Sequence, residues 1–246
     1  MDIGVFIFDT DYSINISELA RELEERGYES LFVPEHTHIP TSRRSPFPGG
    51  GELPKQYSHT LDPFVSLGFA AASTKNLKIG TGICLLPQRD PIVTAKSIAS
   101  LDLMSKGRFV LGLGGGWNVD EMENHGVTYK TRFAMMKEHV LAMKSLWVDE
   151  EAEFHGEYIN FDKSWAYPKP VQKPYPPILM GGETDYTLKR VVDYCDGWFP
   201  RGRGGFDAGE SMQRLKNMAA ESGRDMNTLS VSVFGAPPNE ETINSY

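Results

Sequence analysis

Short apolar segments alternate with helical patterns along most of the chain. Seven of these segments are rich in β-branched and aromatic residues and are apolar on both faces, which predicts parallel β-strands covered by helices. They are residues 2–8, 30–36, 77–83, 108–118, 176–182, 196–200 and 229–234. The fourth, RFVLGLGGGWN, reads as a strand that runs into a glycine turn.

Helix-starting signals stand between the predicted strands. Asn15 is a candidate N-cap before apolar residues at helical spacing, and Gly27 follows as a stop. Asp62-Pro63 and Asp90-Pro91 each place an N-cap residue before a proline at the first helical position. A long helix is predicted over roughly residues 131–148.

One stretch breaks the alternation. Residues 153–176, EFHGEYINFDKSWAYPKPVQKPYP, predict a hairpin followed by a proline-rich connector. We interpret it as an insertion at about residues 150–175 within a single domain that spans residues 1–246.

Two α/β architectures fit this order of elements: an open doubly wound sheet and a closed (β/α)₈ barrel. The glycine turn does not match the G-x-G-x-x-G dinucleotide fingerprint, because Trp117 occupies the third glycine position after Gly112 and Gly114. Seven units without that fingerprint favour the (β/α)₈ TIM barrel. An eighth strand is missing before Tyr246, so the predicted barrel lacks its last βα unit or is truncated there.

Composition narrows the class of protein. The 246 residues are 40% hydrophobic and carry a net charge of −8, which argues against general nucleic-acid binding. There is no signal-peptide pattern and no apolar run long enough to cross a membrane. The two cysteines, Cys84 and Cys195, lie in separate apolar segments, as expected of buried thiols in a reducing compartment. We therefore expect a cytoplasmic protein.

In a barrel, ligands bind where the strands end at their carboxyl side. Glycine clusters follow the fourth and fifth strands, and a Glu35-His36 pair follows the second. A mouth with so much glycine suits a large flat ligand that lies against backbone. Gly181-Gly182 is either a tight strand-to-helix turn or a phosphate site at a helix N-terminus. No metal-ligand spacing and no nucleophile motif is present, so no metal site is expected.

Three segments resemble the luciferase-like flavin and deazaflavin oxidoreductases, and in particular the branch described as probable F-420-dependent oxidoreductases. These segments are SLFVPEH, LKIGTGICLLPQRDPIVTAKSIASLDLMSKGRFVLGLGGGW and PPILMGGETDYTLKRVVDYCDGWFP. The resemblance covers about residues 1–234. It implies a (β/α)₈ barrel that binds coenzyme F-420 or FMN at its mouth.

The resemblance also assigns site residues. The catalytic candidates are His36, as a proton donor or acceptor, and its neighbour Glu35, which would tune it. The candidates for coenzyme binding are Thr81 and Gly82 behind the ring, Gly114, Gly115, Gly116 and Trp117 at the turn, and Gly181, Gly182 and Arg201 at the phosphate.

The choice of coenzyme rests on charge. F-420 ends in an acidic tail that needs several fixed cations, and basic residues gather in two loops: Arg43, Arg44 and Lys55 in one, Arg201 and Arg203 in the other. This favours F-420 and hydride transfer to or from a small organic substrate. An FMN-dependent monooxygenase and a non-catalytic flavin-binding protein with a reduced barrel stay open. The resemblance implies a homodimer.

Overall fold

The computed structural model describes residues 1–203, 206–244 and 246. The strands are β1 (Gly4–Phe6), β2 (Ser30–Val33), β3 (Lys78–Thr81), β4 (Phe109–Leu113), β5 (Ala152–His155), β6 (Asn160–Ser164), β7 (Ile178–Gly181), β8 (Gly197–Phe199) and β9 (Ser230–Val231). The helices are α1 (Ile16–Glu25), α2 (Pro63–Ala72), α3 (Pro91–Ser105), α4 (Val119–Asn124), α5 (Arg132–Val148), α6 (Asp185–Tyr194), α7 (Ala208–Glu221) and α8 (Glu240–Asn244). All seven predicted strands form.

Seven strands make one parallel sheet in the order β1-β2-β3-β4-β7-β8-β9, and the β5-β6 hairpin lies outside it. The order follows the chain, as in a (β/α) barrel, because each helical crossover returns the chain to the next position. In register, Leu31 pairs with Ile79 and Met180 with Trp198. Within the described residues β1 and β9 are the two edges and do not pair, so the barrel is open where an eighth strand would stand.

The predicted helix starts are confirmed at atomic level. The side chain of Asn15 accepts hydrogen bonds from the backbone of Ser17 and Glu18, and that of Asp62 accepts from two N–H groups of the first turn of α2. Asp90 caps α3 in the same way, at 2.8 Å from the N–H of Val93. These caps satisfy backbone donors that a helix otherwise leaves unpaired.

Aromatic rings fill the inside of the open barrel. Phe32 and Phe199 are 5.0 Å apart between centroids, Phe199 and Phe234 are 4.7 Å apart, and Phe234 contacts Phe6 at 5.5 Å. This chain of rings joins β2 and β8 to β1 across the open side. A Cβ on Gly112 would overlap the backbone carbonyl oxygen of Thr81 and lie 3.0 Å from Phe199, so this glycine allows both β3 and the aromatic layer to approach β4 closely.

Candidate functional site

His36 lies just beyond β2 and is buried, with 8% of its surface exposed. Its Nδ1 is 2.8 Å from Oε2 of Glu121, a residue of α4 with no exposed surface. The backbone N–H of Thr37 donates to the second oxygen of the same carboxylate at 3.3 Å. The ends of β2 and β4 thus bring together a buried imidazole and a buried carboxylate that are 85 positions apart in the sequence.

Two aromatic rings flank this imidazole, Tyr57 at 5.3 Å and Trp117 at 5.8 Å between centroids. Phe47 packs edge-on against both of them. Burial raises the pKa of Tyr57, and the positive charges of Arg203 and Arg201 oppose that rise. The Tyr57 phenol is therefore neutral at physiological pH, and the two arginines act on it electrostatically from the loop after β8.

Glu35 is turned away from His36, as adjacent residues of an extended segment are. Its carboxylate accepts a hydrogen bond from the backbone N–H of Leu85 at 2.7 Å and one from Nε of Arg89 at 2.6 Å. Burial acts to lower the pKa of Arg89, but the charge of Glu35 and the hydrogen bonds to Glu35 and Asp62 act together against it, so the pKa is raised above its ordinary value. Glu35 therefore makes no direct contact through which it could tune His36. The carboxylate beside the imidazole is that of Glu121.

The end of β3 is tied to β4. The Thr81 hydroxyl, fully buried, donates to the carbonyl of Gly112 at 2.6 Å. The peptide bond between Gly82 and Ile83 is cis. Thr81 and Gly82 thus lie where the chain leaves β3 and enters the mouth, and the sequence resemblance assigns them to the position behind the coenzyme ring.

Ile83 is the point at which the two glycine clusters meet. A Cβ on Gly114 would overlap the end of the Ile83 side chain, and a Cβ on Gly181 would lie 3.1 Å from its Cγ2. Ile83 is partly exposed, whereas Gly114 is buried. One apolar side chain therefore forms a floor between the ends of β4 and β7, and both glycines are small because that side chain needs the space.

The rest of the glycine turn is also packed against protein. A Cβ on Gly115 would lie 2.6 Å from the ring of Phe133, and one on Gly116 would lie 2.6 Å from the methyl group of Met122. Gly116 has φ +74°, a conformation that favours glycine. The turn thus lets α4 fold back closely under the mouth and presents Trp117 beside His36.

The turn after β7 has the features of a helix N-terminus. Gly182 has φ +115°, and the next helix, α6, is capped by Thr184, whose side chain accepts from the backbone of Thr187. The indole of Trp198 donates to the carbonyl of Gly182 at 2.6 Å and fixes the turn. Gly181 and Gly182 are both partly exposed.

Arg201 is already paired with a carboxylate. It donates to both oxygens of Glu183 at 2.9 and 2.8 Å, and its backbone N–H donates to the same group. Burial raises the pKa of Glu183, but these hydrogen bonds outweigh burial and hold the pKa below its ordinary value. Arg201 thus lies beside the Gly181-Gly182 turn with much of its charge balanced.

The other basic candidates differ in their partners. Arg44 forms ion pairs with Asp120 and Glu123, and Lys55 lies 4.6 Å above the ring of Tyr12. Arg43 stands 5.8 Å over Trp117, and Arg203 donates to a backbone carbonyl. Among the described residues Arg43, Lys55 and Arg203 form no ion pair. Arg43 and Arg203 carry their positive charge beside Trp117 and Tyr57 at the mouth.

The remaining candidate chemistry is structural. His139 is buried against the carbonyl of Leu86 at 3.1 Å, and burial lowers its pKa. Burial raises the pKa of both Cys84 and Cys195, so neither thiol ionises readily. In the described residues no three His, Cys, Asp or Glu side chains are placed to hold a metal ion, and no helix combines the length and apolar character needed to span a membrane.

Comparison with known proteins identifies the family. A model of the luciferase-like monooxygenases matches residues 1–242. The chain belongs to this family. An uncharacterized protein of Mycobacterium tuberculosis is 42% identical to this luciferase-like protein over 229 residues, which are 92% of this chain and 80% of the relative. The F420-dependent hydroxymycolic acid dehydrogenase of the same organism is 29% identical over 175 residues, covering 70% of this chain and 48% of that one.

Solved structures show the same fold. The monooxygenase RslO1 from Streptomyces bottropensis superposes with a TM-score of 0.80 at 22% identity, covering 95% of this luciferase-like chain and 70% of its own. The oxygenating constituent of 3,6-diketocamphane monooxygenase from Pseudomonas putida, a complex with FMN, superposes with a TM-score of 0.72 at 19% identity, covering 94% and 66%. This chain is thus similar in sequence to a relative named for F420 and similar in fold to a protein that holds FMN.

Two residues of the luciferase-like site were not predicted. Glu121 lies in a six-residue helix that has no apolar periodicity, and Tyr57 lies in the long polar loop after β2. The acidic pair Asp120-Glu121 resembles an ordinary solvated helix start in the sequence. Only the fold shows that both side chains are buried.

Proposed function

We propose that this chain is an F-420-dependent oxidoreductase that transfers a hydride between the deazaflavin and a small organic substrate. The observation that carries the proposal is the His36–Glu121 pair, buried beside Tyr57 and Trp117 where the strands end. An imidazole held by a carboxylate and flanked by apolar rings suits proton transfer to or from an alcohol or carbonyl group.

The residues of the mouth fit a flat tricyclic coenzyme with a phosphate. Ile83 supplies an apolar floor, and the glycines on both sides of it bring no side chain of their own. Gly182 and the N-terminus of α6 offer backbone N–H groups to a phosphate, with Arg201 beside them. The coenzyme ring would be contacted by, or lie in front of, Thr81, Gly82 and the turn of residues 114–117.

F-420, when bound, supplies the site of hydride transfer. The side chains do the rest. His36 holds or releases a proton at Nε2, and Tyr57 and Trp117, with Phe47 packed against both, shield the imidazole ring from water. Glu35 acts at a distance, through the position of Arg89 and the turn at Leu85.

F-420 is preferred to FMN for two reasons. A relative in the family is named for F420. Arg43 and Arg203, which lie near the mouth and form no ion pair among the described residues, would meet the acidic tail of F-420, which FMN does not have. An FMN-dependent monooxygenase is the alternative, supported by the FMN-holding structural neighbour. A non-catalytic flavin-binding protein is the second alternative.

One titration separates these functions. The purified protein is titrated with F-420 and, in parallel, with FMN, and binding is followed by absorbance and fluorescence. Tight binding of F-420 alone supports deazaflavin-dependent hydride transfer. Tight binding of FMN alone overturns it in favour of an FMN-binding protein, and oxygen consumption then separates the monooxygenase from the non-catalytic alternative. Binding of neither coenzyme contradicts all three functions.

We also propose that the chain forms a homodimer through the outer face of α2 and α3. α2 contains no charged residue, a pattern typical of a buried helix, yet Val65 and Phe69 are 61% and 62% exposed. Met104 of α3 is 80% exposed on the same face, beside a groove of about 480 Å³ lined partly by Gly68 and Ala72. Projecting side chains next to a groove suit a twofold contact between two copies, and the uncharged helix avoids repulsion between two acidic chains.

A further inference from the structure

Glu121 is a buried carboxylate with few hydrogen-bond partners among the described residues. It has no exposed surface, and within the described residues its only ionisable partner is His36. Its second carboxylate oxygen accepts a hydrogen bond from the backbone N–H of Thr37. A buried carboxylate is costly unless it is hydrogen-bonded and its charge is compensated. Its contact with Nδ1 of His36 is therefore a strong constraint on that imidazole.

The residues on both sides of Glu121 hold its carboxylate in place. The neighbouring Asp120 points to the loop after β2. There its carboxylate accepts a hydrogen bond from the hydroxyl of Ser42 and forms an ion pair with the guanidinium of Arg44. Met122 packs under Gly116, and the N–H of Val119 donates to the hydroxyl of Ser45 at 2.9 Å. α4 is thus clamped between the glycine turn and the loop, and Glu121 has little freedom to leave His36.

The contact decides which nitrogen of His36 reacts. A carboxylate at Nδ1 requires the proton to lie on Nδ1 in the neutral imidazole. Nε2 is then a hydrogen-bond acceptor when the ring is neutral and a donor when the ring is protonated. In the part of the chain that the structure describes, Nε2 has no protein hydrogen bond, and the other titratable group that faces the ring is Tyr57 of the loop after β2.

We propose that Glu121 is a positioning residue that fixes His36 in the Nδ1–H tautomer and reserves Nε2 for proton exchange with the substrate. The inference rests on the proposed role of His36 in the reaction. The competing arrangement has a neutral Glu121 carboxyl donating to Nδ1, with the proton of His36 on Nε2. The two arrangements differ only in where one proton lies, and that proton can be located without coenzyme.

The test is nitrogen-15 NMR of the imidazole in the full chain without coenzyme, with His36→Gln used to assign its signals. We expect unprotonated Nε2 and protonated Nδ1 in the neutral ring. In Glu121→Gln the ring should lose this preference, and turnover should fall about 10- to 100-fold while coenzyme affinity stays within about twofold. Glu123→Gln, on the same helix but exposed and facing Arg44, is the matched control and should change neither.

A proton on Nε2 in the wild-type neutral ring overturns the inference even if Glu121→Gln does not fold. So does a Glu121→Gln variant that keeps both the Nδ1–H signal and full turnover. The failure of the proposed function is distinguishable: the tautomer would be as expected while neither F-420 nor FMN binds. Partial recovery of turnover by Glu121→Asp, which restores a carboxylate, supports the positioning role.

Discussion

The carboxylate of Glu35 lies against the guanidinium of Arg89, with only 2% and 19% of the two side chains exposed. Arg89 stands just before the N-cap of α3 and also reaches Asp62, the N-cap of α2. One buried acid after β2 therefore fixes the starts of two helices. Its position next to His36 in the sequence suggests a role in the chemistry, whereas its contacts indicate a role in the architecture of the mouth.

We expect Glu35→Gln to lower the free energy of unfolding by about 3 kcal/mol, because it removes the buried charge partner of Arg89 and leaves only the more exposed Asp62. Chemical denaturation measures the loss. Asp62→Asn removes the more exposed partner of the same arginine and should cost clearly less. Equal losses in the two variants would contradict the structural role assigned to Glu35.

His36→Ala should leave coenzyme affinity nearly intact and lower turnover by roughly 10²–10⁴-fold, the usual contribution of a general acid or base. The two effects are separated by measuring coenzyme binding by fluorescence and the rate at saturating coenzyme. If turnover equals that of the parent protein, His36 is a polar residue at the rim and the proton has another path.

The strands and helix starts could be predicted from the sequence because their signals are local. Asn15, Asp62 and Asp90 act on backbone groups two or three residues away, so the sequence contains both partners of each interaction. The same holds for the end of α1, where Gly27 adopts φ +79°.

The partner of His36 could not be predicted, because it depends on tertiary contacts. Glu121 reaches the imidazole only after β3 is laid between β2 and β4 and the glycine turn has folded α4 under the mouth. The compensation of Arg201 by Glu183 is hidden for a similar reason, since the two residues lie 18 positions apart on different turns. Charges counted along the sequence therefore overstate the positive potential at the phosphate turn.

Gly114→Ala tests the floor of the mouth. The new Cβ would overlap the end of Ile83 and push that side chain toward the coenzyme site, so binding should weaken and stability should fall by roughly 1–3 kcal/mol. Adding Ile83→Val removes the overlapping Cδ1 atom, and the double variant should recover both properties. A double variant no better than Gly114→Ala, measured by denaturation and coenzyme titration, would show that the turn itself contacts the coenzyme.

Arg203 and Arg201 should differ in their effect on F-420 binding. Arg203→Gln removes an uncompensated charge and should weaken binding more at low salt than at high salt, because salt screens the attraction to the acidic tail. Arg201→Gln with Glu183→Gln removes a pair without changing the net charge. If charge alone matters, that double variant binds nearly as well as the parent; a large loss at both salt concentrations would assign Arg201 a direct contact with the phosphate.

The exposed face of α2 and α3 should govern the oligomeric state. Phe69→Glu places a charge on a face that would be buried between two copies, and because a twofold axis presents the change twice, the dimer should dissociate. Sedimentation velocity over a range of concentrations measures the mass of each variant. Tyr186→Glu changes an aromatic residue that is 75% exposed on α6 and should leave the dimer intact. A wild-type protein that sediments as a monomer would contradict the homodimer, and a dimer that survives Phe69→Glu would place the subunit contact on another face.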